Sequence, residues 1–372
     1  MPPVISSIST QLVDLPTIRP HRLSMTTMAR QTLVIVRLRS SDDIEGLGEA
    51  TTIGGLSYSA ESPESIQCNI DTWLAPLLIG QPADNLNALM ARLDRHVRGN
   101  AIARSAVETA LLDAQGKRLG VSVAALLGGA VHDHLPVLWT LASGDTHKDI
   151  DEAFQRLDER RHCQFKLKLG ANVLREDLRH TEAICAALEG RAGMQVDLNQ
   201  AWDESTAVQG IAALEAAGVA LIEQPIPARQ VPGLTRLANR FRVPMLADEA
   251  VQDAGDGLTL LHAGFSGAFA LKIAKAGGPR GALELAHLAQ RAGVGLYGGT
   301  MLEGTIGTAA SLHAWSTLAS LEWGTEMFGP LLLQDDIVSE GLHYHEFGVD
   351  LPSGPGLGVT LDEDRLRFYT RP

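Results

Sequence analysis

Apolar and polar positions follow two different rhythms along the chain. In residues 3–13 (PVISSISTQLV) and 32–39 (TLVIVRLR), Val, Ile and Leu dominate short runs that predict strands, and Ser41–Asp43 predicts a turn before GLGEA. Residues 63–97 and 101–118 space their apolar positions as helices do, Ala106, Ala110, Leu111 and Ala114 among them. Strands followed by helices predict an α+β domain ending near residue 130, at the Gly-rich stretch LLGGAVHD.

From there strand-like and helix-like stretches alternate. LPVLWTLASG (135–144) reads as a strand and DIDEAFQRLDERR (149–161) as a helix. Apolar runs FKLKLG, MQVDLN, ALIEQP, PMLADE and FALKIA follow, most with a helical pattern after them. They end on Lys168, Asp197, Glu223, Asp248 and Lys272, at intervals of 29, 26, 25 and 24 residues. One strand plus its crossover helix takes about that length. With further strand ends at GLYGG (295–299) and WGTEMFG (323–329) there are about eight strands, the count of a (β/α)8 barrel. The last forty or so residues lose this rhythm and are expected to return to the N-terminal domain.

The ends of parallel barrel strands converge on one mouth, where active sites sit. Asp197, Glu223 and Asp248 interrupt apolar strands, where an unpaired carboxylate is expensive. Oxygen ligands on separate rigid strands suit Mg²⁺ or Mn²⁺ and not zinc. For any one of them the alternative is a structural ion pair with a barrel lysine; three at successive strand ends argue for a metal site. Lys166 and Lys168 stand at i and i+2 and share a face. Two like charges so close are expected to lower each other's pKa and to suit acid/base work near neutrality. Lys272 flanks the carboxylates from the other side, and Lys275 reads as solvated. Asn199 shares the face of Asp197 and is a candidate for substrate or water. Glu326 ends the last strand-like run. Gly298, Gly299 and Thr300 are candidates to offer backbone N–H groups to a carboxylate. The pairs His132/His134 and His343/His345 read as ordinary polar residues. GPGLG (354–358) lacks nucleotide-fingerprint spacing, and GFSG (264–267) is not a nucleophile elbow.

Charge and cysteine content narrow the partners. The net charge of −13 argues against nucleic acid, although a local cation still permits a small anionic substrate. Cys68, Cys163 and Cys185 are odd in number and scattered, so neither a disulfide framework nor a zinc knuckle is indicated. The N-terminus lacks signal-peptide features, and no apolar run approaches the roughly 18 residues of a membrane span. A cytoplasmic location, without membrane association, is expected.

KxK, then Asp, Glu and Asp on successive strands, then a lysine, resembles the enolase superfamily, muconate-lactonizing subgroup. TIRPHRLSM, GEATTIGGLSY, WTLASGDT, RRHCQFKLKLG, VDLNQAWDE, IEQPI, LADEA, ALKIAKAGGPR, GLYGGTMLEG and GTEMFGPLLL carry the resemblance over essentially the whole chain. Ala250 departs from it, many relatives having Ser there. The resemblance implies an α+β capping domain (residues 1–130) over a modified (β/α)7β TIM-type barrel (131–328), with 329–372 returning to the cap. It implies Asp197, Glu223 and Asp248 as ligands of Mn²⁺ or Mg²⁺, and Lys168 as general acid/base with Lys166 beside it. Lys272 matches the lysine of the opposite face and Glu326 the last-strand carboxylate. Segments near Arg22 and Ile53 match loops that close over substrate. The implied activity is reversible conversion of cis,cis-muconate, a small dicarboxylate, to muconolactone in catechol ortho-cleavage, by a homo-octamer. TTIGG, IAKAGG and LEG look like the unchlorinated type. Chloromuconate, dipeptide or succinylbenzoate-precursor substrates stay open, as do a Schiff-base lyase and a non-catalytic metal-binding barrel.

Overall fold

The computed structural model describes residues 2–372 and contains three sheets. An antiparallel meander opens the chain: β1 (Ile5–Arg22), β2 (Thr27–Ser40) and β3 (Glu45–Thr51). The helix Ala101–Leu119 lies against β3. It comes very close because Gly46 and Gly48 have no side chain; a Cβ on either would collide with the carbonyl oxygen of Ala110 or Ala106. Residues 63–97 do not form one helix. A first helical run spans Pro63–Leu78, with a π-helical turn at Ile70–Leu74, and a second covers Leu86–His96. Between them Gly80 adopts φ 82° and Pro82 lacks the N–H a helix needs.

After β4 (His134–Pro136) the barrel begins. β5 (Trp139–Leu141), β6 (Gln164–Lys168), β7 (Gly193–Asp197), β8 (Leu221–Glu223), β9 (Met245–Ala247), β10 (Ala268–Leu271) and β11 (Gly295–Gly298) form one parallel sheet in sequential order. Helices from Thr146–Asp158 to Thr305–Trp315 alternate with the strands. Asp145, Asp203 and Asp253 cap three of these helices by accepting backbone N–H bonds. The eighth barrel position is not a regular strand. Thr325 alone makes parallel bridges, to Val137 beside β5 and to Gly298 of β11. Gly324, at φ 71°, turns the chain just before it. The Thr325 carbonyl accepts from Leu138 at 2.9 Å, and the Glu326 N–H donates to the Gly298 carbonyl at 2.7 Å, so residues 324–326 join the two sheet edges.

The tail divides. β12 (Tyr344–His345) and β13 (Gly348–Asp350) form a hairpin whose second strand pairs with β4. The final residues reach the opening meander: Thr370 bridges Val13, and Arg371 pairs with Asp14 at 2.8 Å and Glu64 at 2.6 Å. Among the described residues no helix is long and apolar enough to cross a membrane.

Candidate active site

Parallel register brings the charged strand ends together. Lys168 of β6 lies beside Asp197 of β7, which lies beside Glu223 of β8; Asp248 follows directly after β9. All three carboxylates are buried, and each meets a lysine. The Lys168 ammonium donates to Asp197 at 2.6 Å. Lys166, fully buried under the Tyr297 ring, bridges Glu223 at 2.5 Å and Glu326 at 2.8 Å. Lys272 donates to Asp248 at 2.6 Å. The row therefore runs from Lys168 across three carboxylates to Lys272, with Glu326 beneath it through Lys166.

For Lys168 the electrostatics differ from the like-charge expectation. Burial pulls Lys168 down, but Asp197, Glu326 and Glu223 outweigh it and hold the proton well above the usual lysine range. Lys272 is raised for the same reason, against burial, by Asp248, Glu223 and Glu326. Glu223 is pushed up by burial and by Asp197, Asp248 and Glu326, with Lys166 opposing. Burial raises Asp248 too, yet Lys272 and Lys275 prevail and keep it ionised. Glu249 is pushed up to about 7 by burial and by Asp248 and Asp197.

Lys275 is not solvated. It is buried, and its ammonium donates to the Asp248 carboxylate at 2.6 Å and the Asp248 carbonyl at 2.7 Å. A turn after β10, with the Lys275 N–H bonded to the Lys272 carbonyl, folds this residue back over the site. Strand alternation does not reach into a turn, so sequence spacing missed it. Gly298 and Gly299 also differ from expectation: their N–H groups bond to Gly324 and Leu271 and are not available to a ligand. Gly299 instead leaves room for Lys272, whose Cε a Cβ would approach to 2.8 Å. The Thr300 hydroxyl donates to Glu303. Asn199 donates to Glu249 at 3.3 Å, while its own Oδ1 and Glu249 Oε2 are buried with no hydrogen-bond partner.

The capping domain contributes four groups. Tyr58 donates to Asp248 at 2.7 Å and accepts from Lys272 at 2.9 Å. Ile53, five residues before it, is buried in the same loop run. Arg22 lines one cleft with Lys168 and Asn172. His21 is buried with neither ring nitrogen bonded, and burial, Lys168 and Arg19 hold it neutral with a pKa down near 3. Tyr58 and His21 carry no local sequence signal, because Tyr58 lies 190 residues from the carboxylate it meets.

The pattern of the mandelate racemase / muconate lactonizing enzyme N-terminal domain matches residues 7–128, and that of the enolase C-terminal domain-like family matches 148–365. The chain belongs to the mandelate racemase / muconate lactonizing enzyme family of the enolase superfamily. Within that family it is 56% identical to muconate cycloisomerase 1 of Pseudomonas putida, over 96% of both chains. It is 44% identical to a chloromuconate cycloisomerase of Delftia acidovorans, over 99% of each. The muconate lactonizing enzyme of Pseudomonas fluorescens, solved complexed with muconolactone, superposes over the full length of both chains, with TM-score 0.99 and 56% identity.

Proposed function

We propose that this protein is a muconate cycloisomerase, interconverting cis,cis-muconate and muconolactone. The observation that carries the reading is the row of three buried carboxylates flanked by Lys168 and Lys272, in a chain similar over nearly its whole length to enzymes of that name. The donor set fits a hard divalent cation, Mn²⁺ or Mg²⁺: Asp197, Glu223 and Asp248 supply oxygen only, and two further buried oxygens beside them, on Asn199 and Glu249, lack partners. When bound, such a cation supplies positive charge to the substrate carboxylate on which negative charge develops.

In the lactonising direction one substrate carboxylate adds to the double bond conjugated with the other carboxylate, and charge builds on that other carboxylate. Lys168, held as the ammonium by its carboxylate neighbours, delivers a proton to the carbon alpha to that second carboxylate. In the reverse direction neutral Lys168 removes the same proton. Lys272 adds positive charge from the far side, oriented by Asp248 and Tyr58. Glu326 holds Lys166 in place beneath. His21, neutral and unbonded, is available to donate an N–H to the substrate.

Loss of muconate ultraviolet absorbance in the presence of Mn²⁺ tests the reading; no turnover at any metal concentration would refute it. Relative kcat/KM on muconate and chloromuconate should favour muconate, and the reverse order would reassign the substrate. Glu223→Gln should weaken Mn²⁺ binding strongly in a calorimetric titration while the circular dichroism spectrum stays unchanged.

A further inference from the structure

The two HxH pairs are not independent polar residues. β4 and β13 are antiparallel, with His134 directly opposite Asp350, and the hairpin turn returns β12 alongside. Three imidazoles therefore converge on one carboxylate. His134 Nδ1 lies 2.8 Å from Asp350 Oδ1 and His345 Nε2 lies 2.9 Å from the same oxygen. His343 Nδ1 lies 2.7 Å from Oδ2. His132 stays apart, bonded to the Ala319 carbonyl.

We propose that His134, His345 and Asp350 form a second metal site, for a borderline transition metal such as Zn²⁺, with His343 at its rim. Their donor atoms all lie within 4.8 Å of one another. Zinc bonds of about 2.0–2.1 Å place tetrahedral ligands roughly 3.3 Å apart, so the two histidine contacts to Asp350 need to open by only a few tenths of an ångström. Two imidazoles and a carboxylate leave a fourth position, for water or His343. This donor set differs in kind from the all-oxygen row at the barrel mouth, because imidazole suits Zn²⁺, Ni²⁺ and Cu²⁺ where carboxylates alone suit Mg²⁺ and Mn²⁺. The place differs too. β4 precedes β5, so the cluster lies at the amino-terminal end of the barrel strands, opposite the mouth. A metal there would cross-link the entry to the barrel with the C-terminal hairpin, two segments 216 residues apart. Its role is structural.

The test uses the full-length, tag-free protein, stripped with chelator and held in excess Mg²⁺. Calorimetric titration with Zn²⁺ should show one equivalent that persists in Glu223→Gln and disappears in both His345→Ala and Asp350→Asn. The same equivalent should raise the thermal midpoint of wild type but not of the two variants. Co²⁺ in its place should give the intense visible absorption of a four-coordinate site, absent from His345→Ala. Muconate turnover with Mn²⁺ should be unchanged in the variants, which reports that they fold; His134→Gln replaces either one that does not. No Zn²⁺ equivalent in wild type, or one that survives His345→Ala and Asp350→Asn, would overturn the proposal.

Discussion

Lys168 and Lys272 stand on opposite sides of the carboxylate row, so their removal should have different consequences. Lys168→Ala removes the proposed proton donor and should lower kcat by on the order of 10²–10⁴. Incubating muconolactone with wild type in D₂O should place deuterium on one face of the carbon alpha to the carboxylate, and Lys168→Ala should abolish this. Lys272→Ala should slow turnover but keep some stereospecific exchange; NMR of the recovered lactone distinguishes the two. Wild-type exchange in Lys168→Ala would assign the proton to the other face. The positions of both residues, with the three carboxylates, were legible in the sequence because each ends a strand or directly follows one, where alternation still guides the direction of a side chain. Lys275 was not, because it sits in a turn. Tyr58 and His21 were not, because they reach the site from a different sheet or loop, through packing that leaves no local pattern.

At the scale of elements, the contact between β3 and the helix Ala101–Leu119 makes a tight demand on the sequence. Gly48→Ala would drive a Cβ into the Ala106 carbonyl, which is backbone and cannot swing away. Overpacking of this kind costs about 1–3 kcal/mol. The expected outcome is a lower urea midpoint with turnover per folded molecule retained; an unchanged midpoint would show that the helix moves freely. The parallel strands were readable as apolar runs because helices cover them. The eighth barrel position was read as a strand but is one residue, Thr325, tied to both edges of the sheet. Its apolar neighbours Met327 and Phe328 are buried for other reasons, in the turn that follows. The break between the helices at 63–78 and 86–96 was marked by Gly80 and Pro82, yet the apolar spacing on either side masked it.

Across the whole molecule, His313 joins three distant segments. Its Nδ1 accepts from the Ala124 N–H at 3.3 Å, so Nε2 carries the hydrogen and donates to the Leu357 carbonyl at 3.1 Å. Burial holds its pKa down to about 4, from 6.5. The folded state therefore takes up this proton later than the unfolded chain as pH falls. The stabilising effect is complete above about 6.5 and is lost as pH drops toward 4, by up to roughly 3 kcal/mol at about 1.4 kcal/mol per pH unit between the two values. Urea midpoints at pH 7 and pH 5 should differ by less in His313→Asn than in wild type. Arg371 makes a comparable long-range tie, and it bears on how the protein is made. Its partner Asp14 leaves the ribosome 357 residues earlier. At about 5–20 residues per second, the first strand waits on the order of tens of seconds for its last neighbour. During translation the opening meander is thus an unfinished surface, and a ribosome that pauses before Arg371 holds a chain with that surface still uncovered.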